Sequence, residues 1–224
     1  MSEFVKLKAE DGHEFDAWVA KPQGEPIAGL VVIQEIFGVN KHIRAVTDGF
    51  AKDGFLAVAP AIFDRYERGL DLGYEGADME KARSFFPKLN IDDILKDTAA
   101  SLAYAHEQTG LKAGVIGYCL GGTIAWLSAT RLKTDAAVGY YGGMISQFAA
   151  EEPKCPVMLH YGALDAHIGP EERQKVASAH PEVPIFLYEN ADHGFNCDMR
   201  SSYNPTASKL ARERSLEFLK KNLA

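Results

Sequence analysis

The chain is poor in nearly everything that would mark a membrane, nucleic-acid or metal protein. No apolar run approaches the length of a bilayer span, so no membrane partner is expected. No block of lysine or arginine occurs. With 24 Lys+Arg against 31 Asp+Glu the formal net charge is −7, which argues against a nucleic-acid partner. Cysteine is scarce: three, an odd number and widely spaced, suit free thiols in a reducing compartment better than a disulfide framework. The seven histidines are dispersed, and neither an H-x-x-x-H nor a C-x-x-C pair occurs, so no metal is expected. The glycines miss the dinucleotide-binding spacing and no P-loop is present, so no cofactor is expected either. The opening Met1-Ser2-Glu3-Phe4-Val5-Lys6 has no signal-peptide pattern. These absences point to a cytoplasmic monomer acting on a small molecule.

What is present fits one domain spanning residues 1–224. The 46% hydrophobic and 25% charged content is ordinary for a globular core of that size. Residues 3–8 and 14–20 are strand-like and flank Asp11-Gly12, a turn dipeptide, so a hairpin opens the chain. Buried strands are expected at 30–33, 55–59, 111–118, 136–141, 157–161 and 185–188. Asn40 caps a helix carrying Ile43, Val46, Thr47 and Phe50. Asn90 caps a longer one carrying Ile91, Ile94, Leu95, Thr98, Leu102 and Ala105. Residues 60–89 are irregular, with a short helix expected near 78–86. Further helices fall near 171–179 and 205–221, the last showing Ala207, Leu210, Ala211 and Phe218 on one face. Alternation after a hairpin means an α/β fold: a mostly parallel sheet with helices on both faces.

The densest signal is Val115-Ile116-Gly117-Tyr118-Cys119-Leu120-Gly121-Gly122. A short apolar run leads into G-x-Cys-x-G and an apolar, helix-compatible run follows. That is the sequence form of a nucleophile elbow. Glycines are needed because the turn is crowded, and the helix N-terminus behind it favours negative charge at the sulfur. The plainer reading is a buried cysteine beside a tight turn. Chemistry in open α/β sheets sits past the carboxyl ends of strands. Two other strand ends carry candidates: 157–161 exits toward Asp165, and 185–188 exits toward Asp192-His193. Nucleophile, acid, histidine is the chain order of α/β-hydrolases. His193 would take the Cys119 proton and Asp165 would hold the imidazole. Asp192 is a rival acid, disfavoured because an immediate neighbour rarely points at the far ring nitrogen. Cys155 reads as core and Cys197 as a loop thiol. Glu35, read from residues alone, is an exposed strand-end carboxylate.

The elbow, together with Gln34-Glu35-Ile36-Phe37-Gly38-Val39-Asn40, Ala137-Val138-Gly139-Tyr140-Tyr141-Gly142 and Asp192-His193-Gly194-Phe195, closely resembles the dienelactone hydrolases (carboxymethylenebutenolidases) over essentially the whole chain. The resemblance implies a single-domain α/β-hydrolase with a Cys119, His193, Asp165 triad. It makes Glu35 the group that holds the resting thiol neutral and turned from the histidine until substrate displaces it. It assigns the oxyanion hole to the backbone N–H groups of Ile36 and Leu120. Two arginines grip the substrate carboxylate in the family's best-known members, and here their positions fall on Cys197 and Met79. Arg83, Lys81 or Arg200 could substitute, or could be solvated surface charge. Phe37, Tyr141 and Phe195 are expected to wall the pocket, with Arg83 as the substrate-binding cation. The implied activity is hydrolysis of a small lactone or ester through a thioester. Alternatives are a broader carboxylesterase or thioesterase, and a non-catalytic small-molecule binder on the same scaffold.

Overall fold

The computed structural model describes residues 1–224. Strands β1 (Ser2–Lys8) and β2 (Glu14–Ala20) form the opening hairpin, with Leu7 opposite Phe15 and Gly12 turning the chain at φ 88°. Then come β3 (Ala28–Ile33), helix α1 (Lys41–Lys52), β4 (Phe55–Pro60), α2 (Gly76–Ser84), α3 (Ile91–Thr109), β5 (Ala113–Tyr118) and α4 (Leu120–Arg131). The chain closes with β6 (Ala137–Tyr140), β7 (Val157–Gly162), α5 (Pro170–Ala179), β8 (Ile185–Tyr188) and α6 (Pro205–Leu223). All eight strands join one sheet in the order β1-β2-β4-β3-β5-β6-β7-β8. β1, β2 and β4 pair antiparallel and the remainder are parallel. Every residue of β3, β4, β5, β6 and β7 is buried, as continuous apolar runs require when helices cover both faces. Helices α3 and α4 cover one face, α1 and α6 the other. No helix is long and apolar enough to cross a membrane.

Topology fixes where chemistry can happen. From β3 the chain steps outward to β4, then returns across β3 to β5, so the winding reverses between two adjacent strands. Their carboxyl ends diverge there and leave a crevice. The Gln34–Ile36 turn lines one side of it and Cys119 the other. The long connection from β4 to α3 roofs this crevice. Leu72 N–H donates to the Phe37 carbonyl at 3.0 Å, and Asn40 Nδ2 donates to the Leu72 carbonyl at 3.0 Å. Gly38, at φ 83°, passes so close to the Leu70 carbonyl that any side chain would collide with it. Expected as irregular with one short helix, the segment is laced tightly to the β3 exit.

Asn40 and Asn90 cap their helices as expected, Asn40 Oδ1 accepting from Ile43 N–H at 3.2 Å. The expected apolar face of α6 needs correction. Leu210 is exposed, and the inward seam runs Ala207, Ala211, Ser215, Leu219, Leu223 at a spacing of four. Small residues let the helix approach the sheet, and Ser215 has polar partners beneath it. Its hydroxyl meets Tyr140 Oη at 2.7 Å and His160 Nε2 at 3.0 Å, while His160 Nδ1 meets Tyr188 Oη at 2.9 Å. Burial, reinforced by the Arg214 charge, pulls the His160 pKa down to about 3. This imidazole is neutral, fully partnered and structural.

Candidate active site

Cys119, between β5 and α4, has φ 55° and ψ −114°, a conformation L-residues rarely occupy. Such a residue costs about 1–3 kcal/mol and persists only when its surroundings over-determine it. Here they do. Cys119 N–H donates to the Tyr140 carbonyl at 3.0 Å, and its own carbonyl accepts from Gly122 and Thr123 N–H at 3.0 and 3.3 Å. A side chain at Gly117 would strike the Gly121 carbonyl, and one at Gly121 would strike the Ile33 and Gln34 carbonyls. The glycines flanking Cys119 are therefore dictated by backbone crowding, and the sulfur is left pointing over the crevice at the start of α4.

Asp165 follows β7 and His193 follows β8, strands that lie side by side. Their loops converge: His193 Nδ1 lies 2.7 Å from Asp165 Oδ2. The other oxygen, Oδ1, accepts from the backbone N–H of His167 at 2.8 Å, which fixes the carboxylate plane. Burial would raise the Asp165 pKa, but the His193 hydrogen bond and charge hold it below the usual carboxylate value. Asp165 occupies Nδ1, so Nε2 is the ring nitrogen left for the sulfur. Burial alone would pull the His193 pKa down. The Cys119 charge and the hydrogen bonds of Asp165 and Cys119 outweigh it and push it up to about 10. Asp192, the rival acid, accepts from the backbone N–H of His193 instead of its ring.

Glu35 is not the exposed strand-end carboxylate that its residue context suggests. It is only 1% exposed, under the roof, and Oε1 accepts from Arg200 Nη1 at 3.0 Å while Oε2 has no partner. Glu35 is thus bound to Arg200, and no hydrogen bond joins it to the Cys119 thiol. Burial works against the Arg200 charge, but Glu35, Tyr141 and Cys119 together stabilise it. The guanidinium also lies 5.9 Å from the Phe37 ring and 5.7 Å from the Tyr74 ring. Beside the sulfur, the backbone N–H groups of Ile36 and Leu120 meet no acceptor in the fold. Leu120 opens α4, where an N–H has no intrahelical partner.

These groups share a cleft of about 320 Å³ lined by Ile36, Phe37, Met79, Arg83, Phe86, Cys119, Leu120, Gly143, Met144, His167, His193 and Arg200. A more polar recess of about 270 Å³ adjoins it, sharing Met79, His167, His193 and Arg200 and adding Asp192, Ser201 and Ser202. A larger concavity of about 520 Å³ lies at the far end of β5, beside Leu102, Leu111 and Leu132. Its His106 is occupied by the Leu111 carbonyl at 2.7 Å, and no nucleophile or acid–imidazole pair converges there. The cleft that gathers Cys119, His193 and Arg200 is the smaller one.

The model of the dienelactone hydrolase family matches residues 15–223. The chain belongs to the dienelactone hydrolase family. It is 34% identical to the carboxymethylenebutenolidase of Pseudomonas putida over 227 residues, covering 98% of this chain and 96% of that one. It is 31% identical to the carboxymethylenebutenolidase of Pseudomonas sp. strain P51, covering 99% and 96%. The crystal structure of dienelactone hydrolase from Anabaena variabilis superposes with a TM-score of 0.74 at 14% identity, covering 100% of this chain and 99% of that one, a likeness of fold. The chain is a hydrolase of the dienelactone hydrolase type.

Within that family framework, some expected contacts need correction. Phe37 and Arg83 line the cleft, but Tyr141 and Phe195 are fully buried and do not. Tyr141, at φ 39°, turns inward and packs its ring 5.1 Å from His193 and 5.4 Å from Phe195, so Tyr141 props the imidazole from behind. Lys81 is tied to Glu67 at 2.6 Å outside the cleft. Met79 lines the cleft, whereas Cys197 is buried away from it, its thiol pushed up to about 12 by burial and then the Glu35 charge. Cys155 is only partly buried. Sequence reasoning missed Phe86 and Met144 as cleft walls, and it passed over His167, whose ring sits 5.5 Å from that of His193. The Asp165-Ala166-His167 spacing carried the one available hint, since Asp side chains often accept from the N–H two residues on.

Proposed function

We propose that this protein hydrolyses small lactones or esters bearing a free carboxylate, with Cys119, His193 and Asp165 as its triad. The observation that carries the reading is the 2.7 Å Asp165–His193 pair set against Cys119, beside two unpaired amides. Cys119 Sγ attacks the carbonyl carbon, its proton having passed to His193. Negative charge gathers on the carbonyl oxygen between the Ile36 and Leu120 amides, donors of a kind worth about 10²–10³ in rate. The carbon–oxygen bond of the ring then breaks, and the leaving enolate or alkoxide oxygen takes the imidazolium proton, which returns His193 to its neutral form. A lactone stays attached as one opened chain through its thioester. Water, losing a proton to His193, attacks the thioester, and thiolate leaves to restore the site.

Arg200 and Arg83 are the cations for the substrate carboxylate, standing in for the family arginines whose positions Cys197 and Met79 occupy. Arg200 is already shared with Glu35, so an incoming carboxylate competes for it and frees Glu35 beside the sulfur. The Met79, Phe86 and Met144 walls favour a second reading, a broader esterase accepting apolar acyl groups. The two separate on matched substrates: an unsaturated lactone acid and its methyl ester. The acid is expected to be turned over at least tenfold more efficiently, with both activities abolished in Cys119→Ala. Equal rates for acid and methyl ester would favour the broader esterase, and undiminished turnover in Cys119→Ala would exclude the nucleophile.

A further inference from the structure

Outside the cleft, a second set of reactive side chains meets. His42, in the first turn of α1, and Cys197 and Asp198, in the loop before α6, bring an imidazole nitrogen, a sulfur and a carboxylate oxygen within 4.8 Å of one another. His42 and Cys197 are buried, and Asp198 is at the surface. His42 Nδ1 lies 3.0 Å from Asp198 Oδ1, and its buried Nε2 meets no partner. Nδ1 is thus the nitrogen turned toward Asp198, and Nε2 faces away across the ring. Burial and then the Glu35 charge push the Cys197 thiol up, so an ion binding there has to displace its proton. A concavity of about 310 Å³, lined in part by His42, Asn196, Asp198 and Arg212, opens beside the ring.

We propose that His42, Cys197 and Asp198 bind one borderline-soft divalent transition ion of the zinc class. Nitrogen, sulfur and oxygen donors suit such an ion and do not suit magnesium or calcium. Charge balances: two positive charges meet one thiolate and one carboxylate, the thiol proton passes to solvent, and the imidazole stays neutral. Three protein donors leave a fourth tetrahedral position for water from the concavity. Bonds of about 2.0–2.3 Å require the donors to draw together by about 1 Å, which the exposed Asp198 can supply. The chain spacing gave no sign of this site, since His42 and Asp198 are 156 positions apart. Occupancy would also fasten the loop carrying Arg200, the partner of Glu35.

Cobalt reports on such a site without reference to turnover. Chelator-treated, reduced protein titrated with Co²⁺ is expected to develop a thiolate-to-cobalt charge-transfer band and tetrahedral visible bands at one equivalent, competed away by Zn²⁺. Cys119→Ser and Cys155→Ser should keep the bands, and Cys197→Ser should lose the charge-transfer band. Asp198→Asn, a surface change that leaves folding intact, should weaken Co²⁺ binding at least tenfold. No bands at saturating Co²⁺, bands lost in Cys119→Ser but kept in Cys197→Ser, or wild-type affinity in Asp198→Asn would each overturn the site.

Discussion

Two imidazoles on neighbouring strands show how its partners decide whether a buried ring is held neutral or charged. His160 lies within β7, held by the hydroxyls of Tyr188 and Ser215, and His193 lies just past β8, held by the carboxylate of Asp165. Both are largely buried, so both lose hydration that would favour a charged ring. Neutral partners leave His160 with nothing to offset that loss, and its pKa falls to about 3. The Asp165 carboxylate and the Cys119 sulfur reverse it at His193, where the value rises to about 10. Burial is the common term. The charge of the partners decides whether the ring can carry a proton.

The strongest way to break this comparison is to exchange the losses. His193→Gln is expected to lower kcat/KM per folded molecule by about 10²–10⁴, the usual worth of a positioned acid–base. His160→Gln should leave activity per folded molecule within a few-fold while costing about 1–3 kcal/mol, since two buried hydroxyls lose their partner. At about 2–4 °C per kcal/mol for a chain this long, thermal melts resolve that cost. A His160 variant that melts normally but loses turnover would invert the assignment.

Asp165→Asn comes next. It is expected to cost about 10²-fold in kcat and to lower the alkaline edge of the pH–rate profile, by removing a carboxylate that favours imidazolium. In the wild type the raised His193 pKa means the protonated ring persists through neutral pH. Its stabilising contribution is complete below about 6.5 and lost as pH rises through about 10, and activity should fall in that upper range. His160 has the opposite sign. Its depressed value means that stability is complete above about 6.5 and lost as pH falls from there toward about 3. Melts of His160→Gln between those limits should therefore be less acid-sensitive than wild type. The smallest effect belongs to Arg83→Gln, expected to raise KM for an acid-bearing ester roughly fivefold, about 1 kcal/mol, and to leave a neutral ester unchanged.

How much of this was legible in the sequence depends on the range of the cause. The elbow was readable because its glycines answer to backbone crowding within five residues, Gly117 against Gly121. The strand ends bearing Asp165 and His193 were readable from apolar runs and turn residues, and the chain order supplied their partnership. Glu35 was misjudged as exposed because what buries it, the roof around Leu70–Tyr74 and the Arg200 loop, arrives from distant parts of the chain. Tyr141 was misplaced on the cleft wall because only its positive φ, invisible in the sequence, turns it behind His193. In α6 the apolar stripe slipped because Ser215 faces inward toward Tyr140 and His160, a polar seam that hydrophobic periodicity cannot register.

The central claim is that the Asp165–His193 pair acts on the Cys119 sulfur, and rapid-quench intact-protein mass analysis with an activated aryl acetate addresses it directly. One acetyl group mapping to Cys119 within the first turnover, absent in Cys119→Ala and greatly slowed in His193→Gln, is the outcome this geometry requires. Acetyl mapping to another residue, or acetylation of Cys119 at the wild-type rate in His193→Gln, would contradict it.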